Sequence, residues 1–435
     1  MVYLFNELKI VKKNYYVSQN RQYVGHCLNY INMNIYIFLA HTMGGLTGSA
    51  VYVRNKYNWL KENGWEVIVF DGTGNNNTPI IIEEFKKFKS NRIKELYFHP
   101  SSFFLWKQKL VIKRILKCIP FQGKIVIESN NPNLALWGEL IAKELSAKHI
   151  IYTLGENDIV NTKEEFDFFR HKAFNKEFFC IAPKAAKQFF SKFETIENED
   201  DLYWSAGNSS PVEDVLCDEL ESIPNSDYTI GYFGRLKSYT KNVFSNINSF
   251  AKRYSFKSIN LIVLGIENGE HLSNLITQTN VSIFYIGAKS VLPKKFFDKC
   301  SLIIANAACA KIAFESGATV VSMDVERQSP LGVLGYTTSE ISFRSPQCTD
   351  ERDLDTIIED VINNPNKYHS PVLSLANVNK GFEFQIKYTE LANSPKYDIS
   401  RCRQSNSIRS KIRKCLLSLG LVNIISYHRY LYRKK

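Results

Sequence analysis

The sequence predicts an α/β protein built from two doubly wound, Rossmann-like parallel sheets. Three observations carry this. Short apolar runs alternate with amphipathic stretches along most of the chain. The alternation stops once, at 206–227, and then restarts. At 435 residues, the chain has the length of two domains of about 150–200 residues each.

The first apolar run, NIYIFLA (34–40), leads into a glycine-rich turn, HTMGGLTGS (41–49), and then a helical stretch, AVYVRNKYNWLKENG (50–64). Glycine admits positive φ and lets a ligand approach the backbone. A following helix N-terminus favours an anion. The turn lacks the lysine of a Walker loop, because Ser49 and Ala50 follow Gly48. It also has Met43 where a G-x-G-x-x-G fingerprint needs its first glycine. Asp71 ends the next strand-like run, WEVIVFD (65–71), where a dinucleotide fold places its ribose acid. A phosphate loop, a dinucleotide site and a plain tight turn all fit this segment.

The pattern continues with KELYFHP (94–100) as strand and FFLWKQKLVIKRILK (103–117) as helix. KIVIES (124–129) is strand, PNLALWGELIAKEL (132–145) helix and AKHIIYTL (147–154) a buried strand. EEFDFFRHKAF (164–174) is helix and EFFCIAP (177–183) strand. The break is rich in Gly, Asn, Ser, Pro and acids, with the linker placed at 212–227 between a first domain at 33–211 and a second at 228–375. In the second domain, YTIGYFG (228–234), INLIVLG (259–265), VSIFYIG (281–287), SLIIAN (301–306) and ATVVSMD (318–324) read as strands. NVFSNINSFAKRY (242–254) and CAKIAFESG (309–317) read as helices. Residues 1–32 read as an extension and 376–435 as a helical segment with a basic tail.

Composition narrows the class. The chain is 44% hydrophobic, ordinary for a soluble globular protein. No apolar run approaches the roughly 20 residues that span a bilayer, and no cleavable signal is expected at the N-terminus. The nine cysteines show no C-x-x-C or metal spacing, so reduced thiols in the cytoplasm are expected. The net charge of +12 is concentrated in the tail. Residues 401–435 hold ten of the 55 Lys and Arg and none of the 43 Asp and Glu, leaving +2 for the rest.

Three strands of the second domain end in glycine, at Gly234, Gly265 and Gly287. Glycines at strand carboxyl ends are where a doubly wound sheet admits a ligand. Arg235 follows the first and Lys241 lies shortly after. A forked guanidinium and a point-charge ammonium suit a pyrophosphate, though a solvated pair beside a loop has the same spelling. Ala308 and Cys309 stand near a helix start, and Glu315 near that helix's end, the unfavourable end for an anion. There it could accept from ribose hydroxyls or simply face solvent. Asp353-Leu354-Asp355 has D-x-D letters but opens a helix, so no metal site and no cofactor are expected.

Together these segments resemble a GT-B glycosyltransferase, most closely the retaining family-4 type. GGLTGSAVYVRNKYNWLKENGWEVIVF resembles its opening unit and GNSSPVED the segment before its linker. GYFGRLKSYTKN, LIVLG and FESGATVVSMD resemble its donor-side motifs. The likeness spans roughly residues 33–375. It implies two domains facing each other across a cleft, and a nucleotide-diphosphate sugar donor as co-substrate. It implies that Arg235 and Lys241 bind the diphosphate and help it leave, that Glu315 holds the ribose, and that Gly44 and Gly45 let the first domain approach the phosphates. His41 and Glu156 are acceptor-side candidates. The chain departs from the family in two places. Ala307 stands where the first of two glutamates is usual, and Gly155 follows the strand after which many members carry histidine.

The tail adds a partner. Ile408, Ile412, Leu416, Leu419 and Val422 fall near one helical face, with Arg409, Lys411, Arg413 and Lys414 beside them. That make-up suits an interfacial helix on an anionic membrane. It also suits a helix packed back on the first domain, or a disordered basic tail. No nucleic-acid reading module accompanies it. A peripheral enzyme on the cytoplasmic face of a bacterial inner membrane would take a lipid-linked or oligosaccharide acceptor for capsule, lipopolysaccharide or exopolysaccharide. Two rival readings stay open: a catalytically silent relative serving as a scaffold in polysaccharide assembly, and an NAD(P)-dependent oxidoreductase using Asp71.

Overall fold

The computed structural model describes residues 34–40, 45–72, 88, 90–120, 123–155, 158–193, 202–204, 207, 210–236, 240–265, 274–325, 327, 329–345, 348–368, 371–373, 381–402 and 407–421. His41, Gly44, Glu156, the 1–32 extension and Val422 lie outside them. The chain divides into two compact units. Among the described residues, unit 1 takes those up to Ala40, Val53–Trp204 and everything after Lys380, while unit 2 takes Gly45–Tyr52 and the rest up to Leu373.

Unit 1 is organised on a six-stranded parallel sheet in the order β3-β2-β1-β4-β5-β6. Its strands are β1 (Ile35–Ala40), β2 (Glu66–Asp71), β3 (Asn91–Arg92), β4 (Ile125–Ser129), β5 (Lys148–Thr153) and β6 (Phe178–Cys180). β1 and β5 are buried along their whole length, as expected for strands covered on both faces. One face carries a core of Ile37, Leu39, Ile127, Trp137 and Ile141; the other carries Phe168, Phe169, Phe178, Phe189 and Phe190. The helices are α1 (Gly48–Glu62), α2 (Leu105–Leu116), α3 (Pro132–Leu145), α4 (Lys163–Phe174) and α5 (Pro183–Phe190). α3 starts where its sequence says it should: the Asn131 side chain accepts from Leu134 N–H and Pro132 occupies the first turn. Thr162 caps α4 in the same way, with Glu164 and Glu165 in the first turn.

Unit 2 repeats the plan in the order β10-β9-β8-β12-β13-β14. Here β7 is Val212–Glu213, β8 Tyr228–Phe233, β9 Ile259–Leu264, β10 Val281–Gly287, β11 Leu292–Pro293, β12 Leu302–Ala305, β13 Val320–Met323 and β14 Pro330–Val333. β14 pairs antiparallel with β13, and β7 pairs with β11 apart from the main sheet. The helices are α6 (Asp218–Glu221), α7 (Thr240–Arg253), α8 (Lys294–Lys299), α9 (Ala307–Glu315) and α10 (Leu354–Asn363). α7 buries Val243, Phe244, Ile247 and Phe250 in its own sheet's core.

Several segments differ from the expected pattern. KELYFHP is not a strand: Lys94–Tyr97 and Pro100–Ser102 are 3-10 turns, the second started by His99 Nδ1 accepting from Ser101 N–H. The 212–227 stretch lies inside unit 2, where Cys217, Leu220 and Ile223 join a core cluster. The final described segment returns to unit 1 through α11 (Phe382–Glu390) and α12 (Ile408–Ser418). Leu417 enters one core face, and Ile399 and Cys402 enter the other. No disulfide forms among the described residues, and none of their helices is long and apolar enough to cross a membrane.

Candidate functional site

In unit 2 the strand order reverses between β9-β8 and β12, so the topological switch lies at the carboxyl ends of β8 and β12. Three glycines close the ends of β8, β9 and β10 in one row. Gly234 N–H donates to Leu264 O at 3.0 Å, and Gly265 N–H to Gly287 O at 3.1 Å. Gly265 packs so tightly that a Cβ there would stand 1.7 Å from Gly234 O. Gly287 has φ +78°, the left-handed region that favours glycine. The row therefore presents bare backbone where a side chain would otherwise stand.

Arg235 follows Gly234 directly, and its carbonyl accepts from the Tyr232 hydroxyl at 3.0 Å. Its guanidinium is exposed, as is Lys241 in the first turn of α7. Neither side chain has a hydrogen bond or ion pair among the described residues. The last register pair of β8 and β12 is Phe233 with Ala305. Arg235 and the start of α9 thus leave the sheet from adjacent strand ends. Asn306 precedes α9 without a side-chain cap, and Ala307 N–H donates to Ile341 O at 2.5 Å. Ala307 sits at φ +47°, unusual for a non-glycine residue. Ala308 and Cys309 are half-buried in the first turn. Glu315 is eight residues beyond Ala307, about 12 Å along the helix at 1.5 Å per residue. It is exposed and lies 3.7 Å from Lys311 Nζ. The structure thus groups Gly234, Arg235, Gly265 and Gly287 at one sheet edge, with Ala308 and Cys309 at the next strand end. Glu315 stands at the far end of α9.

In unit 1 the switch falls between β1 and β4. Asn130 N–H donates to Leu39 O at this edge, and Asn130 is buried with its Oδ1 unpartnered among the described residues. In the segment after β1 that groups with unit 2, Gly45, at φ +96°, needs glycine, and Thr47 Oγ1 accepts from Ala50 N–H to start α1. Asp71 is buried at the end of β2. Beyond β5 stands Asp158, which no sequence motif singles out. Its carboxylate accepts no hydrogen bond among the described residues, and a Cβ on Gly155 would meet it at 2.5 Å. Burial pushes its pKa up to about 6. A carboxyl that titrates near neutrality at a sheet's carboxyl edge is equipped for proton transfer.

The sequence also concealed two buried ionic networks. Glu128 accepts from Lys56 Nζ and from the Tyr36 hydroxyl, both at 2.6 Å, and from Asn130 Nδ2 at 2.8 Å. Burial pulls the Lys56 pKa down against that carboxylate's charge. The second network joins Glu139 to His149 Nδ1 at 2.8 Å and to Lys172 at 2.5 Å, and Glu177 to Lys172 and Lys148. Burial alone would raise both carboxyls. His149 and Lys172 outweigh it at Glu139, and Glu177 is drawn down to about 2 by Lys172, Lys148 and Ser394. His149 Nε2 lies 3.0 Å from Ser129 Oγ, so Ser129, His149 and Glu139 are spaced like a hydrolase triad. All three are fully buried and the Ser129 hydroxyl donates to Leu134 O. With burial lowering His149 to about 4, this is a neutral-imidazole packing network closed to substrate.

Comparison with solved structures fits this architecture. A glycosyltransferase from Rickettsia africae superposes with a TM-score of 0.53 at 13% identity, over 79% of this chain and 92% of that one. TarM gives 0.51 at 9% identity, over 82% and 98%. The chain has the GT-B fold. No protein-family model matches the sequence, and no curated protein matches it. The likeness is therefore one of fold.

Proposed function

We propose that the protein is a glycosyltransferase that moves a sugar from a nucleotide-diphosphate donor to a lipid-linked or oligosaccharide acceptor. The observation that carries this is the bare glycine row at the switch of unit 2, with Arg235 beside it exposed and unpaired among the described residues. Such an edge accommodates a pyrophosphate, and cations fixed there stabilise the charge that develops as the diphosphate departs. Lys241 is the second cation, the start of α9 at Ala308 and Cys309 adds its dipole, and Glu315 is the ribose acceptor. In this reading no metal is needed, because Arg235, Lys241 and the helix supply the positive charge. Gly44 and Gly45, after β1, provide a further phosphate-side turn.

His41 and Glu156 are the acceptor-side candidates, and Asp158, a carboxyl that burial raises to about 6, joins them as a candidate proton acceptor. Retention of anomeric configuration follows from the family-4 resemblance, as does a place in capsule, lipopolysaccharide or exopolysaccharide assembly on the cytoplasmic face of the inner membrane. A scaffold without turnover is the second reading, favoured by Ala307 in the position of the family's first glutamate. The test is release of nucleoside diphosphate from a panel of nucleotide sugars, with and without a polyprenyl-linked acceptor. Release that Asp158→Asn abolishes supports transfer; binding of donor without release supports the scaffold.

A further inference from the structure

α2 and α12 both belong to unit 1, and each keeps one face in its core while leaving an apolar and basic stripe outside. α2 buries Val111, Ile112 and Ile115. Its exposed residues include Trp106, Lys109, Leu110 and Lys113, with Lys117 just past its end, spaced i, i+3, i+4, i+7 and i+11; Leu105 is exposed beside them, and Arg114 is exposed and paired with Glu95. α12 is anchored by Leu417 and by Ser418 Oγ, which accepts from Phe104 N–H at 2.9 Å. Its exposed residues are Ile408, Lys411, Ile412, Cys415 and Leu419, with the same spacing. The exposure is large for apolar side chains: 71% for Leu105, 55% for Trp106, 76% for Ile408 and 56% for Ile412. Isolated exposed apolar residues need no explanation, but clustered ones mark a contact surface.

The two helix starts border one cavity of about 910 Å³. Phe104, Leu105 and Trp106 line it from one side and Lys411 and Lys414 from the other, with Lys143 also on its wall. Lys414 Nζ stands 5.6 Å from the centre of the Phe104 ring. Two carboxylates reach this wall. Glu139 is committed to His149 and Lys172, and Asp398 accepts from Ser400 N–H. Neither helix contains an acidic residue.

We propose that this composite face of α2 and α12 docks on an anionic phospholipid surface, with Leu105, Trp106, Ile408 and Ile412 entering the interface and the cavity receiving a lipid phosphate. Apolar side chains framed by Lys109, Lys113, Lys411 and Lys414, which outnumber Asp398, the one exposed acid on the cavity wall, complement a bilayer's headgroup layer rather than a protein surface. Residues 401–435, with ten Lys and Arg and no acid, extend the same charge. The inference rests on the membrane part of the proposed function and not on its chemistry.

The test is partitioning of the full-length protein onto phosphatidylcholine vesicles with and without phosphatidylglycerol. Brominated lipids serve as quenchers of Trp106. Binding should require phosphatidylglycerol. Leu105→Ser with Trp106→Ser should weaken it by at least roughly tenfold, and Lys411→Ala by about fivefold. Quenching should disappear in Trp106→Phe. Binding that these variants leave unchanged would assign it to the basic tail alone and overturn the proposal, as would no binding to either vesicle. Nucleotide binding by the same variants, unchanged in either case, separates this result from the fate of the donor site.

Discussion

Gly265→Ala tests how closely the strand ends of unit 2 are packed. The new Cβ would meet Gly234 O at 1.7 Å and Gly234 C at 2.9 Å, whereas ordinary contact begins at 3.4 Å. The obstacle is backbone, so no rotamer change relieves it. The end of β8 must move by about 1.7 Å, the difference between those distances. That shift breaks the 3.0 Å bond from Gly234 N–H to Leu264 O. A lost hydrogen bond costs about 1 kcal/mol and overpacking about 1–3, so unit 2 should lose roughly 2–4 kcal/mol in urea denaturation. Arg235 moves with Gly234, so nucleoside diphosphate affinity in calorimetry should fall as well. Gly287→Ala is the contrast. Its nearest neighbour would be a Tyr285 ring carbon at 3.8 Å, and it should cost only the left-handed strain of about 1–2 kcal/mol. Wild-type stability and affinity in Gly265→Ala would refute the close packing of this row.

Three further predictions concern stability. Lys56→Met leaves Glu128 buried without its cation, and chemical denaturation should show a loss of about 3–5 kcal/mol, partly restored by adding Glu128→Gln. The second concerns acid. His149 is held neutral down to about 4, below its ordinary 6.5, so the unfolded chain binds the extra proton and stability falls as pH drops from 6.5 to 4, by roughly 3 kcal/mol. Glu177, at about 2 against an ordinary 4.5, continues the loss below pH 4.5. Asp158, raised to about 6, opposes it by favouring the fold as pH falls below 6. Denaturation midpoints across this range, with the His149 imidazole followed by NMR, check the sign; an imidazole that titrates at its ordinary pKa contradicts it. Third, Ala307→Gly should raise stability by about 1 kcal/mol in thermal or urea unfolding by relieving its positive φ.

The sheets were legible because a doubly covered parallel strand must be nearly continuous apolar sequence, and IYIFLA and LIIA are, with INLIVL broken only by Asn260, whose side chain donates to Pro224 O. The strand-end glycines were legible for a related reason: a run that stops at glycine marks where backbone, not side chain, is wanted. KELYFHP misled because Leu96 is buried in a 3-10 turn and Phe98 in the extended residue after it, a pattern that a short apolar run does not distinguish from a strand. β14 was hidden, since Pro330 at its start masks an edge strand. The ionic networks were hidden more deeply. Lys148 and His149 stand near the start of a run that reads as a buried strand, Lys172 and Glu177 look like surface charges in sequence, and only the fold brings the four together inside. Nothing in the sequence marks Asp158; its burial beside Gly155 is a product of the fold. In the tail, the helical face drawn through Ile408, Ile412 and Leu419 is exposed, while Leu416 is half-buried and Leu417 takes the core contact.

The central claim is that the edge of unit 2 holds a nucleoside diphosphate. Calorimetric titration with UDP, GDP, CMP and NAD(H), on the wild type and on Arg235→Ala, tests it most directly. Because Arg235 is exposed and unpaired among the described residues, its removal should leave thermal stability within about 0.5 kcal/mol. One nucleoside diphosphate should bind the wild type, and the substitution should weaken it by about 1–3 kcal/mol, the range for hydrogen bonds to charged groups. Silence across the panel, or NAD(H) binding that depends on Asp71 and ignores Arg235, would contradict the account.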